Sequence, residues 1–144
     1  IREMLDFHPE SQRTDIGQAL EYLTRVMKRH CTAFVISDFY DQKDYQHTLQ
    51  IANQKHDVVG IQVYDPRAKM LPDVGLLKVM DAETGHEMYI DTSSKRLRQA
   101  HTQNWLMRQD NLRKMFAKSK VDWTSIATNE DFSKALLLLF RQRE

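Results

Sequence analysis

The sequence predicts an α/β domain: three layers, a mostly parallel sheet flanked by helices, with an added β-hairpin. Three observations lead there. Cys31-Thr-Ala-Phe-Val-Ile-Ser37 is a short uncharged apolar run with β-branched residues, the pattern of a strand buried on both faces. Asp57-Val-Val-Gly-Ile-Gln-Val-Tyr64 is a second such run, and the residues between them carry helical spacing. Strand, helix and strand at this distance form a βαβ unit with parallel strands. The third observation is Asp81-Ala-Glu-Thr-Gly85 between two β-rich runs, a hairpin signal that a plain alternating chain lacks.

Taken in order, residues 8–13 are polar, contain Pro9 and read as a loop. A helix is expected from Thr14 to about Arg29, with Thr14 as N-cap and Asp15 suiting the positive end of its dipole. Ile16, Ala19, Leu20, Leu23, Val26 and Met27 form its apolar stripe. The strand 31–37 follows and ends at Asp38. A second helix is expected from Asp41 to Lys55, with Tyr45, Leu49 and Ala52 inward. After the strand 57–64, Asp65-Pro66 stops the chain in a loop to about residue 74. The hairpin insertion spans about 75–91, its turn at 81–85 exposed and one side covered by neighbouring structure. Ser93 or Ser94 then caps a long helix to Ser119 whose inner face uses Leu97, His101, Trp105, Leu112, Met115 and Phe116. Val121–Ile126 is a third sheet strand. Thr128-Asn-Glu-Asp131 resembles a capping box before a last helix with Phe132, Ala135, Leu136, Leu139 and Phe140 inward.

Composition bounds the function classes. A chain of 144 residues makes one domain, and 41% hydrophobic with 28% charged residues is ordinary for a globular protein. A formal net charge of +1 gives no global pull toward nucleic acid. The single Cys31 has no disulfide partner, and neither a signal-peptide pattern nor a membrane-length apolar stretch occurs. These features lead to the expectation of a reducing, cytoplasmic setting. Ile1-Arg-Glu-Met-Leu reads as the tail of a helix entered midway, so the chain is expected to be a fragment.

Enzyme templates fail in turn. Four scattered glycines cannot form a phosphate-cradling loop. Cys-x-x-Cys, His-Glu-x-x-His and Gly-x-Ser-x-Gly are absent. What remains is a set of oxygens at the carboxyl end of the sheet, where open α/β sheets bind ligands. Thr14 starts the helix that leads into strand 31–37 and Asp38 ends that strand. A hydroxyl and a carboxylate suit a hard cation such as Mg²⁺, which keeps several waters. The ordinary alternative is a solvated Asp38 and an Asp41 that caps the next helix. Lys95, Arg96, Arg98, Arg108, Arg113, Lys114 and Lys118 against Asp110 make the long helix basic. Such a face is more often solvated than docked on an acidic protein.

Arg13-Thr-Asp-Ile-Gly-Gln-Ala-Leu20, Val-Ile-Ser-Asp-Phe-Tyr-Asp41, His56–Pro66 and Leu71-Pro-Asp-Val-Gly75 resemble a bacterial family of unknown function, domain of unknown function 58. Its core is similar to the von Willebrand factor A domain, a Rossmann-type fold. That resemblance implies that residues 1–144 are the C-terminal portion of one such domain. It also implies a metal-ion-dependent adhesion site in which Thr14 matches the Thr position and Asp38 the late Asp. The Asp-x-Ser-x-Ser element of that site is absent from the chain. Gln12-Arg13 stand where glycines usually precede the Thr, and Phe39 stands where a glycine usually follows the Asp. The site is therefore expected to be half a site, with Mg²⁺ bound only in a complete domain.

The family context implies a non-enzymatic protein-interaction module, with a MoxR-type AAA+ ATPase as partner. The rival reading is a metal-dependent hydrolase using Asp38, Asp41 and Asp65 at the same sheet edge. In the fold resembled, strand 31–37 pairs on its other side with a strand that lies upstream. Its open edge is expected to be covered by such a segment or by a second copy in a homodimer.

Overall fold

The computed structural model describes residues 14–41, 43–81 and 85–143. Helix α1 (Ile16–Val26) leads to strand β1 (Thr32–Ser37), helix α2 (Gln46–Lys55) and strand β2 (Asp57–Tyr64). A 3₁₀ turn, Pro66–Ala68, precedes the hairpin strands β3 (Leu76–Met80) and β4 (Glu87–Asp91). Helix α3 (Lys95–Ser119), strand β5 (Asp122–Ala127) and helix α4 (Phe132–Arg141) complete the chain. Among the described residues the main sheet has the order β1-β2-β5, all parallel, and β3-β4 form a separate antiparallel pair.

The two faces of the sheet follow from strand parity. Val35, Gly60 and Trp123 are in register and face helices α1, α2 and α3. Ile16, Leu20, Tyr45, Leu49, Ala52, Val58, Leu112, Phe116 and Val121 make the core on that side. Each buried Ile, Leu, Val or Phe among them contributes on the order of 1.5–3 kcal/mol by leaving water. Phe116 stacks on Trp123 at 5.2 Å between centroids and meets Phe39 edge-on at 5.1 Å. A Cβ at Gly60 would lie 2.8 Å from the Phe116 ring, so the glycine is what lets α3 approach β2.

Helix α4 lies over the opposite face, where Phe34 and Phe140 meet edge-on at 6.2 Å. That face is only partly covered. The expectation of a strand buried on both faces is therefore wrong: β1 alternates, with Phe34 47% and Ile36 66% exposed. The physical reason is position, since β1 is the edge of the described sheet and α4 packs over β5. Phe132 and Phe140, expected inward, are 62% and 46% exposed, and Val26 and Met27 also lie at the surface.

Local boundaries differ where side chains cap. Helix α1 starts at Ile16 with Asp15, not Thr14, as N-cap, its Oδ1 accepting from Gln18 N–H at 2.8 Å. It ends at Val26, short of the Lys28–His30 cluster. Helix α2 starts five residues after Asp41, with Asp44 accepting from Gln46 N–H. Ser94 caps α3, and Asp131 rather than Thr128 caps α4. Lys120, in the left-handed region at φ 53°, closes α3.

At the amino end of the sheet, Asn53 holds two helices together. Its Oδ1 accepts from Val58 N–H, and its Nδ2 donates to the carbonyl of Lys120 at 2.8 Å. His56 is 1% exposed beside it, with Nδ1 3.5 Å from Cys31 Sγ and Nε2 without a partner. The hairpin is anchored at its base. Wholly buried Thr92 donates to the Gly75 carbonyl at 2.6 Å, and Arg98 pairs with Asp73 at 2.9 Å. Leu77, Val79 and Ile90 are half-buried, while Leu76, Met80, Met88 and Tyr89 are exposed. Residues 82–84 of the expected turn lie outside the described residues. No described helix is long and apolar enough to cross a membrane.

Candidate functional site

The carboxyl ends of β1 and β2 and the start of the loop after β5 open on a cleft of about 1230 Å³. One wall is formed by residues 38–41 and 43–45; the other is a stripe of α3 that carries His101, Asn104, Trp105, Arg108, Leu112 and Met115. These positions recur every three or four residues, which puts them on one helix face.

The loop wall is built from short acidic turns. Asp38 ends β1, is exposed, and accepts from Tyr40 N–H at 3.0 Å. Phe39 between them has φ 57°. The left-handed region is uncommon for a bulky residue and costs roughly 1–3 kcal/mol. The Phe39 ring packing against the core offsets that strain. The position thus requires the conformation that a glycine would adopt freely.

Asp41 accepts from Lys43 N–H through one oxygen and from Ile16 N–H, the first residue of α1, through the other at 2.8 Å. It caps the preceding helix, not the next one. Lys43 in turn pairs with Asp15, which holds the Asp15 carboxyl below the usual carboxylate range. Thr14, half-buried, stands two residues ahead of Ile16, whose N–H donates to Asp41. Tyr45, buried under this loop, has its phenol pushed up by burial and by the charge of Asp41.

Asp65 does not join them as a free carboxylate. It caps the 3₁₀ turn and pairs with Arg67 at 2.6 Å, which lowers its pKa. Among the described residues no three His, Cys, Asp or Glu side chains are grouped to hold a metal ion. Of the two sequence-derived ligands, Asp38 is exposed at the cleft and Thr14 is half-buried two residues before α1.

The floor and helix wall are aromatic and polar. Gln62 is buried and accepts from Ser125 Oγ at 2.9 Å. Tyr64 and Trp105 lie 5.7 Å apart, and Lys69 sits over the Trp105 ring at 5.6 Å. His101 Nε2 is 2.8 Å from the Ala68 carbonyl. The Arg108 guanidinium lies 4.4 Å from the Tyr40 ring centre, reaching from α3 to the loop wall. Sequence reasoning placed His101 and Trp105 inward but gave the cleft no role for them, for Tyr40 or for Arg108. The only signal was their periodicity along a helix read as merely basic.

A family model described as protein of unknown function DUF58 matches residues 1–111. Uncharacterized protein MAV169 of Mycobacterium avium is 39% identical over 77 residues, covering 54% of this chain and 46% of that protein. Uncharacterized protein Mb1516 of Mycobacterium bovis and uncharacterized protein Rv1480 of Mycobacterium tuberculosis are each 38% identical over 77 residues. Those matches again cover 54% of this chain, but only 24% of each relative. The match thus spans about half of one relative and a quarter of the others. No solved structure matches.

Proposed function

This chain belongs to the DUF58 family of proteins of unknown function, and from that premise we propose that it is a non-enzymatic protein-interaction module whose contact face is the carboxyl end of the sheet. The observation that carries the reading is the junction of two loops: Asp41 accepts from Ile16 N–H at 2.8 Å and so holds the Asp38 turn against the start of α1. A strained Phe39 in that turn, at φ 57°, is a second support, because strain collects where a side chain must be presented in one direction. Asp38 and Thr14 offer a carboxylate and a hydroxyl oxygen to a hard cation. The remaining oxygens come from a partner carboxylate and from elsewhere in a longer polypeptide. The similarity to the von Willebrand factor A domain belongs to this reading, as does a MoxR-type AAA+ ATPase as the partner.

Asp41 and Asp65 are occupied by backbone N–H groups and by Arg67, so nothing favours the hydrolase alternative. Titration calorimetry with Mg²⁺ and Mn²⁺ tests the cation. The 144-residue chain is expected to bind weakly or not at all. A longer polypeptide is expected to bind, and to lose binding with Asp38→Ala while still folding. Tight binding by the short chain would overturn the half-site, and unfolding by Asp38→Ala would make that residue a structural cap.

A further inference from the structure

We propose that the α3 wall of the cleft binds the side-chain carboxylates of an acidic peptide segment, with Arg108 as principal anchor and Lys69, at the cleft's edge in the loop after β2 and over the Trp105 ring, as a second cation. The proposal rests on reading the cleft as a protein-contact surface, but it needs no metal ion at Asp38.

The cations of α3 divide into two groups. Arg98 is committed to Asp73 and to the carbonyls of Thr92 and Ser93, and Arg113 and Lys114 are committed to Asp110. Arg108 enters the cleft and takes part in none of the ion pairs of the described residues; its contact is with the Tyr40 ring. An aromatic face stabilises the guanidinium charge without using its N–H donors. Those donors form a planar fork that matches a carboxylate with two parallel hydrogen bonds. Lys69 repeats the arrangement over Trp105, which precedes Arg108 by three residues and so neighbours it on the helix surface. Among the described residues, neither of these two cations on adjacent aromatic supports has its side-chain donors engaged by a carboxylate. Asn104 and Gln109, on the same wall, add neutral amide donors.

The rest of the cleft says which anion suits it. None of the glycines lines it, so no backbone cradle for a phosphate is present among its lining residues. Its 1230 Å³ exceeds the roughly 300–1,000 Å³ of small-molecule sites. Four carboxylates line the cleft away from α3. Asp41 is taken up by two backbone N–H groups and Asp65 by Arg67, while Asp38 and Asp44 repel an anion on the loop wall, so acidic groups are directed to the helix side. An extended peptide with spaced carboxylates meets all three conditions.

The test is fluorescence anisotropy with the intact protein and a labelled twelve-residue peptide of alternating Glu and Ala, in buffer with chelator. A peptide with Gln for every Glu, and inorganic phosphate as competitor, are the control arms. The Glu peptide is expected to bind without divalent ions, more weakly at higher salt, and the Gln peptide not to bind. Arg108→Gln is expected to weaken binding by at least about tenfold, and Lys69→Ala by less. Arg113→Gln, on the same helix but paired with Asp110, is expected to leave binding unchanged. Thermal unfolding of each variant checks that it folds. No binding, equal binding of the Gln peptide, or an Arg108→Gln protein that is folded and binds normally would each overturn the proposal. Displacement by phosphate at the peptide's own concentration would overturn it in favour of a simple phosphate site. Binding that needs Mg²⁺ and is lost with Asp38→Ala but kept with Arg108→Gln would overturn it while leaving the cation reading intact.

Discussion

Ile16 N–H donates to Asp41 Oδ2 at 2.8 Å, joining residues 25 apart in the chain. A carboxylate from one loop thereby serves as the cap of a helix that precedes it. Such caps contribute about 1 kcal/mol each. Asp41→Ala is expected to lower stability by that order in urea unfolding, with Asp41→Asn losing less. An unchanged urea midpoint would show that Asp15 alone suffices to cap α1.

Gly60 offers a sharper test of packing. Gly60→Ala places a methyl 2.8 Å from the Phe116 ring, which is held by Trp123 and Phe39 and has little room to yield. The expected loss is about 1–3 kcal/mol, typical of overpacked cores. Pairing Gly60→Ala with Phe116→Leu should recover part of it. A neutral Gly60→Ala would mean that α3 can shift away from the sheet.

His56 governs a window of pH. Burial lowers its pKa below 6.5, with the charges of Lys55 and His30 acting in the same direction. Below pH 6.5 the unfolded chain takes up the proton that the folded imidazole resists, so its contribution to stability is complete above that pH and is lost as pH falls. Urea midpoints are expected to decline from pH 7 to pH 5 in the natural chain and to stay flatter in His56→Gln. Parallel declines would assign the effect to other groups.

The edge of β1 predicts association. Phe34, against Phe140 of α4, and Ile36 are exposed, and β1 is an edge of the sheet among the described residues, which templates further pairing. Size-exclusion chromatography with light scattering on residues 1–144 should show dimers or larger species, and Ile36→Lys should shift them toward monomer. A monomeric parent with cooperative unfolding would show that this edge is tolerated as it stands.

Much of the fold could be read from the chain because it is encoded locally. The apolar runs at 31–37 and 57–64, the helical spacing of Tyr45, Leu49 and Ala52, and the glycine-closed turn before β4 each depend on residues a few positions apart. What escaped depends on neighbours distant in sequence. A strand cannot announce from its own residues that it lies at an edge, so Phe34 and Ile36 read as core. Thr14 and Asp15 are both acceptable caps, and geometry rather than composition selected Asp15. Asp41 looked like the start of the helix after it because nothing local points back to Ile16. The meeting of Tyr40 with Arg108 joins residues 68 positions apart and left no trace in either segment.

The backbone of Phe39 is held at φ 57° while its ring lies edge-on against Phe116. Moving the Asp38 turn outward would relax the main chain and, in the same motion, draw the ring out of the core. Holding it inward keeps the ring seated and the strain stored. The Asp38 turn and the interior thus share one residue, Phe39, whose ring contacts run on through Phe116 to Trp123.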